Sequence, residues 1–281
     1  ALLNTRVVGH TVDFSSISGN PLITPGNKLV MEVNKLFASH HSQNKQVFIS
    51  TGKDCIKKKK VPMELAKLIK NFPSTKCNGL PGELPLFIGM PVFLTVNIAT
   101  ELGLTNGATG VVRSIHLKSE EVFNGDKGIH YLDQIPDYII VEMDDITMKP
   151  LDGLEPNLVP IFPKTGSFKV KVKEKQINIS RCHFPLVPRF SCTSHKSQGQ
   201  TLSKAVVDLV RPKEIKGAVE INFSYVPLSR VRTLKDLTIL RPFDPSVLKA
   251  QVNQGCAAMM EEFKGRDKCR DMQIMTALTE Y

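Results

Sequence analysis

The apolar positions of this 281-residue chain change rhythm twice between its ends. Near the start, ALLNTRVV has the look of a buried strand, and QVFIST (46–51) reads as another. In VPMELAKLIKNF, Pro62 takes the predicted first helical position, and Leu65, Leu68 and Ile69 share one helical face. Residues 72–85, rich in Pro and Gly, read as loop. Strands follow at 91–96, 111–117 and 137–143, with turn clusters such as TNGATG (105–110) between them. The stretch 167–179 alternates, with Phe168, Val170 and Val172 on one face and Lys169, Lys171, Lys173 and Lys175 on the other. Short strands with turns and no helix predict a small antiparallel barrel or sandwich over 98–186. From residue 187 the rhythm changes again. AVVDLV (205–210) is a continuous apolar run, as expected of a parallel strand buried on both faces, and LKDLTILR (234–241) holds another. Residues 220–234 read as partly helical. After Pro245, Leu248, Val252, Cys256, Met259 and Phe263 recur at helical spacing. The pattern predicts an α/β layer in two pieces, 1–97 and 187–245, an all-β insert over 98–186, and a helical extension over 246–281.

Composition narrows the class. The hydrophobic share of 41% and charged share of 23% are those of an ordinary globular protein. No run approaches about 18 apolar residues, so no membrane span is expected. The opening residues lack a secretory-leader pattern and an initiator Met, which leads us to expect a piece of a longer protein. The net charge of +10 favours an acidic partner, and a phosphate backbone is the commonest; simple solubility is the plainer reading. Six cysteines contain no C-x-x-C pair, so reduced thiols and an intracellular setting are expected and a zinc knuckle is not. Lys57 to Lys60 fit either a nuclear-import signal or an exposed helix flank, and a nuclear setting is the expectation. His40-His41 has no partnering acidic or Cys cluster, so no metal is assigned.

The candidate chemistry lies in TSHKSQGQT (193–201), a polar stretch between two strand-like runs. Ligands of open α/β sheets bind beyond the carboxyl ends of such strands. Hydroxyls, an imidazole and an ammonium are groups that hold phosphate oxygens, and Gly199 admits close backbone approach to an anion. A polar turn capping a helix is the plainer alternative. Further on, Ser229-Arg230-Val231-Arg232 follows an apolar run. An arginine on a packed element suits a phosphoryl group; a pair of surface arginines is the alternative.

Taken together, TSHKSQGQTLSKAVVDL and YVPLSRVRTLKDLTIL resemble motifs V and VI of the Pif/RecD group of superfamily-one DNA helicases. LPLFIGMPVFLTVNIATELGLTNGATGVV (84–112) is similar to the segment that leads into that group's inserted barrel, and LLNTRVV (2–8) resembles motif IV. The resemblance implies a RecA-like second motor domain, of the P-loop-NTPase type, carrying a small Src-homology-three-like β-barrel. It implies the C-terminal half of a 5′-3′ helicase that binds single-stranded DNA and shares ATP and Mg with an N-terminal RecA-like domain. Arg230 would reach the γ-phosphate; Gln198, Gly199 and Arg6 would lie at the nucleotide; Thr193, His195 and Lys196 would hold DNA, with Lys196 able to serve the nucleotide instead. No G-x-x-x-x-G-K-[ST] occurs: the one Gly-Lys pair, Gly52-Lys53, is followed by Asp54. The fragment alone is therefore expected to hydrolyse no ATP. Ser194 stands where the group has an apolar β-branched residue, and Pro227 replaces its alanine, which predicts an altered approach to Arg230 or a later helix start. The rival readings are a non-catalytic nucleic-acid-binding remnant and a protein-interaction module.

Overall fold

The computed structural model describes residues 20–118, 127–144, 146, 153–172, 174–211, 222–249 and 261. The motif-IV segment with Arg6 lies outside these residues, as does the extension beyond 249 apart from Glu261.

Four short strands form an all-parallel sheet: β1 (Leu22–Thr24), β14 (Ser191–Thr193), β15 (Ala205–Val207) and β16 (Leu237–Ile239), in the order β14-β1-β15-β16. Alternate residues of a strand point to opposite faces. Leu22 and Val206 enter one core, with Phe37 and Phe190; Ile23, Ala205, Val207 and Ile239 enter a second core on the other side. The apolar run at 205–210 is thus a central strand buried on both faces. The long helix α1 (Asn27–Ser42) covers the first face, and its Phe37 ring stacks on Phe190 at 4.8 Å.

The remaining strands are mostly antiparallel. β6 (Pro91–Leu94), β7 (Thr109–His116), β9 (Tyr138–Met143), β10 (Leu158–Ile161) and β13 (Leu186–Pro188) make one sheet, in the order β10-β9-β7-β6-β13. Its strands come from both sides of residue 98. A second sheet joins β11 (Lys164–Val172), β12 (Lys175–His183), β3 (Lys53–Ile56) and β4 (Lys59–Lys60). A third places β2 (Gln46–Thr51) between β5 (Glu83–Leu86) and β8 (Gly128–Tyr131). Gly82 lies where this third sheet meets the helix α2 (Met63–Lys70): a Cβ there would stand 2.2 Å from the Lys70 carbonyl oxygen, so only glycine fits without a shift.

Four local expectations are corrected. Pro62 is the N-cap of α2, because its ψ of 145° is extended and the helix begins at Met63. Leu68 faces solvent, and Ile69 is buried with Leu65 and Ala66 beside it. The 167–179 stretch is two strands rather than one. Its register pairs Val172 with Lys175, so the turn moves Lys175 to the apolar side and leaves Lys169 and Lys171 as the lysine stripe. The tetralysine run is a hairpin tip rather than a helix flank: Lys57 and Lys58 form a two-residue turn with φ of 47° and 66° between β3 and β4.

Candidate functional site

The polar loop is held from beneath by α1. Asn34, buried in that helix, accepts hydrogen bonds from the Ser191 N–H at 3.0 Å and the Ser191 hydroxyl at 3.0 Å, and donates to the Pro188 carbonyl at 3.4 Å. The Val30 carbonyl, 2.9 Å away, shares the one Ser191 hydroxyl proton with Asn34. This fixes β14, and with it the position at which Thr193 leaves the sheet. Thr193 then caps a single helical turn, α3 (Ser194–Ser197), without using its hydroxyl, which stays available to a ligand. Inside the turn the Ser197 hydroxyl donates to the Ser194 carbonyl at 2.8 Å. The Ser194 hydroxyl is buried with no hydrogen-bond partner among the described residues.

The loop presents two sides. Thr193 and Lys196 line a cavity of about 310 Å³ bounded by α1, by residues 72–75 and 81–85, and by Ile129 and Tyr131 of β8. Burial pulls the Lys196 ammonium below the usual lysine range, an effect that an anion in the cavity would oppose. His195 is exposed on the turn and does not line the cavity. Gln198 and Gly199 are exposed beyond it. Gly199 takes a φ of 81°, and no atom lies within 4 Å of the place its Cβ would occupy, so the backbone there is open to approach.

Arg230 closes the loop from the far side. It follows α4 (Asn222–Leu228), a helix that runs through Pro227 and ends one residue later. The predicted later start is therefore not seen; Pro227 lacks an N–H to donate, but it falls in the last turn. Arg230 Nε donates to the Val226 carbonyl at 2.8 Å, Nη1 to the Ser197 and Gln200 carbonyls at 3.3 and 3.0 Å, and Nη2 to the Ser229 hydroxyl at 2.7 Å. The Leu202 N–H returns to the Arg230 carbonyl at 2.8 Å. Four of five guanidinium donors are thus engaged, all by neutral acceptors. Among the described residues no carboxylate pairs with Arg230.

At the end of the same sheet, Asp208 is buried. It accepts from Arg241 at 3.0 and 2.8 Å and from Thr24 at 3.4 Å, and the pair raises the Arg241 pKa. Sequence reasoning missed Asp208, Arg241, Asn34 and Tyr131. Tyr131 is 70% exposed at the cavity rim; nothing in GIHY distinguishes such a ring from a core one. Among the described residues no cluster of His, Cys, Asp and Glu is placed to hold a metal.

No protein-family model matches the chain. In sequence the chain is similar to the rat ATP-dependent DNA helicase PIF1, with 28% identity over 201 residues, covering 68% of this chain and 26% of the relative. It is 36% identical over 89 residues to that of Candida albicans, covering 32% of this chain and 9% of the relative. The chain thus spans about a quarter or less of the curated relatives it matches. In structure it resembles Bacteroides Pif1 bound to ssDNA, with a TM-score of 0.57 and 17% identity, covering 95% of this chain and 50% of that one. It also resembles the Candida albicans Pif1 helicase, with a TM-score of 0.53 and 22% identity, covering 87% and 49%.

Proposed function

We propose, from this relationship to the Pif1 helicases in sequence and fold, that the chain is the C-terminal motor half of an ATP-dependent 5′-3′ DNA helicase. The parallel sheet is the RecA-like second motor domain, and the antiparallel strands between β6 and β13 are its inserted Src-homology-three-like barrel. The observation that carries the reading is Arg230, a half-buried guanidinium held by four neutral acceptors, with no carboxylate paired to it among the described residues. Its positive charge is oriented but not neutralised, as a group that meets a phosphate requires.

The residues present fit one side of a nucleotide. Gln198 and the open backbone at Gly199 supply donors, and Arg230 supplies charge. ATP brings the phosphoryl group whose transfer to water drives the motor, and Mg is held with it mainly by a P-loop domain whose motif these 281 residues do not contain. Arg230 faces a γ-phosphate by giving up its bonds to the Ser197 and Gln200 carbonyls. Those carbonyls belong to the loop that begins at Thr193, so a change at the arginine shifts the loop's grip on DNA. On the other side Thr193 and Lys196 hold strand phosphates, His195 reaches a phosphate from the exposed turn, and Tyr131 offers a face on which a base stacks.

Binding of a labelled single-stranded oligonucleotide tests the reading. The chain is expected to bind with strong salt dependence, and His195→Ala and Lys196→Gln each weaken binding several-fold. Salt-independent binding, or binding untouched by both substitutions, contradicts it. The chain alone is expected to show no ATP turnover; turnover abolished by Arg230→Ala would overturn that.

A further inference from the structure

The sheet β11-β12-β3-β4 turns one face to the core and the other to solvent. Its register settles which residues share the outer face. Arg181 pairs with Asp54 on the inner side, so Ser180 and Cys55, and Cys182 and Lys53, are outward, and Cys55 pairs with Lys60. Lys169 pairs with Asn178 and Lys171 with Gln176 on the same outward side. The outward positions open to solvent are therefore Thr165, Ser167, Lys169 and Lys171 on β11; Gln176, Asn178 and Ser180 on β12; Lys53 and Cys55 on β3; and Lys60 on β4, whereas Cys182 at the end of this side packs against the main core. Four are lysines and none is acidic. Among the described residues the one acidic contact is Glu174 in the turn, 4.0 Å from Lys171, with both side chains exposed; such a pair contributes little.

The lysines form two rails. Lys169 and Lys171 stand about 7 Å apart on β11, and Lys53, level with Thr165, and Lys60, level with Ser167, stand about 16 Å from Lys169 and about 20–22 Å from Lys171, from ordinary strand spacings and the register. The lane between is neutral and hydrogen-bonding: Gln176, Asn178 and Ser180. At the sheet's end the exposed Lys57 and Lys58 extend the second rail from a turn in which both have positive φ. Side chains with a Cβ adopt that conformation at about 1–2 kcal/mol each, and Asn-Gly is the unstrained choice for such a turn, so charge is displayed here against backbone preference.

We propose that this face docks the phosphate backbone of duplex DNA, as a surface separate from the loop at Thr193. Lysine is depleted at protein–protein interfaces, which rely on aromatic and other apolar anchors; this face has no large apolar residue, so an acidic protein is the poorer fit. It also has no aromatic ring on which unstacked bases would sit. Phosphates on the outside of a stacked duplex offer what lysines, amides and hydroxyls recognise. The proposal does not depend on the role assigned to Arg230.

Binding of the chain to a blunt DNA duplex and to a single strand, followed by fluorescence anisotropy over a salt series, tests it. A variant carrying Lys53→Gln, Lys60→Gln, Lys169→Gln and Lys171→Gln is compared with a charge-matched control carrying Lys28→Gln, Lys67→Gln, Lys76→Gln and Lys127→Gln. The first variant is expected to lose about 10-fold or more in duplex affinity, with a salt slope smaller by about 3 to 4. The control and single-strand binding change little. The proposal is overturned if the wild type does not bind duplex, if both variants lose duplex binding equally, or if polyglutamate displaces the duplex as well as competitor duplex at equal charge. Loss of single-strand binding in Lys196→Gln with duplex binding intact would separate this face from the loop.

Discussion

Two arginines, Arg181 and Arg230, show how differently the two parts of this molecule use the same side chain. Arg181, on β12, is wholly buried. It donates to both Asp54 oxygens at 2.7 and 2.8 Å and to the Leu80 and Ile69 carbonyls at 3.3 and 3.2 Å, and it lies over the Phe168 ring at 5.1 Å. Its neighbour on the same inner face, His183, is equally sealed. Nδ1 donates to the Pro81 carbonyl at 2.8 Å, which leaves Nε2 to accept from the Ser50 hydroxyl at 3.0 Å. Arg230 is only half-buried and, among the described residues, meets no carboxylate. A neutralised, satisfied guanidinium joins β12 to β3 and to the end of α2; an oriented one without a carboxylate among the described residues suits the anion we propose for it. Charge compensation, more than burial, distinguishes the structural arginine from the one we propose meets a phosphate.

The largest effect that would break this comparison is expected at Asp54. Asp54→Ala leaves Arg181 charged with only two carbonyls, and it should cost about 3–5 kcal/mol in urea unfolding. Arg230→Ala, which removes no charge partner, should cost about 1–2 kcal/mol at most. Equal losses at the two sites would contradict the distinction. Next comes acid. Burial lowers the His183 pKa to about 4, further helped by Arg181 and opposed by the bond to Pro81. The folded state therefore takes up this proton later than the unfolded chain, whose histidines titrate near 6.5. The stabilisation is full above that value and is lost as pH falls from about 6.5 to 4, on the order of 3 kcal/mol. Melting temperatures across this window should fall steeply, and His183→Gln should flatten the fall. The smallest effect has the opposite sign. Ser194→Ala removes a buried hydroxyl without a partner and is expected to stabilise the fold by about 1 kcal/mol, sharpening the view that the loop carries a polar group its packing does not use.

Much of the framework was legible. β2 occupies 46–51 as read, and the run at 205–210 holds a central parallel strand, because period-2 and continuous apolar patterns are direct consequences of which faces are buried. α1 escaped notice for a physical reason: its buried face carries Asn34, whereas Leu36 is exposed, so the amphipathic rhythm is blurred by the residue that anchors β14. The reversal between Val172 and Lys175 was hidden because lysines recur at every second position from 169 to 175, and only the shift of the apolar positions from Val172 to Ile177 marks it. At the site, residue types located the loop, and the loop's division into a cavity side and an arginine side came only from the fold. The pairing of Arg230 with the Ser197 and Gln200 carbonyls depends on a contact about 30 residues away in sequence, which no local pattern encodes.

The most direct test of the central claim is ATP turnover in a protein that covalently links this chain to the P-loop motor domain of a Pif1 relative. With single-stranded DNA present the linked protein is predicted to hydrolyse ATP. Arg230→Ala should lower that rate by about 10³-fold or more while the variant's single-strand binding and unfolding transition stay close to those of the parent. Turnover by the linked protein that is unchanged in Arg230→Ala would contradict the account.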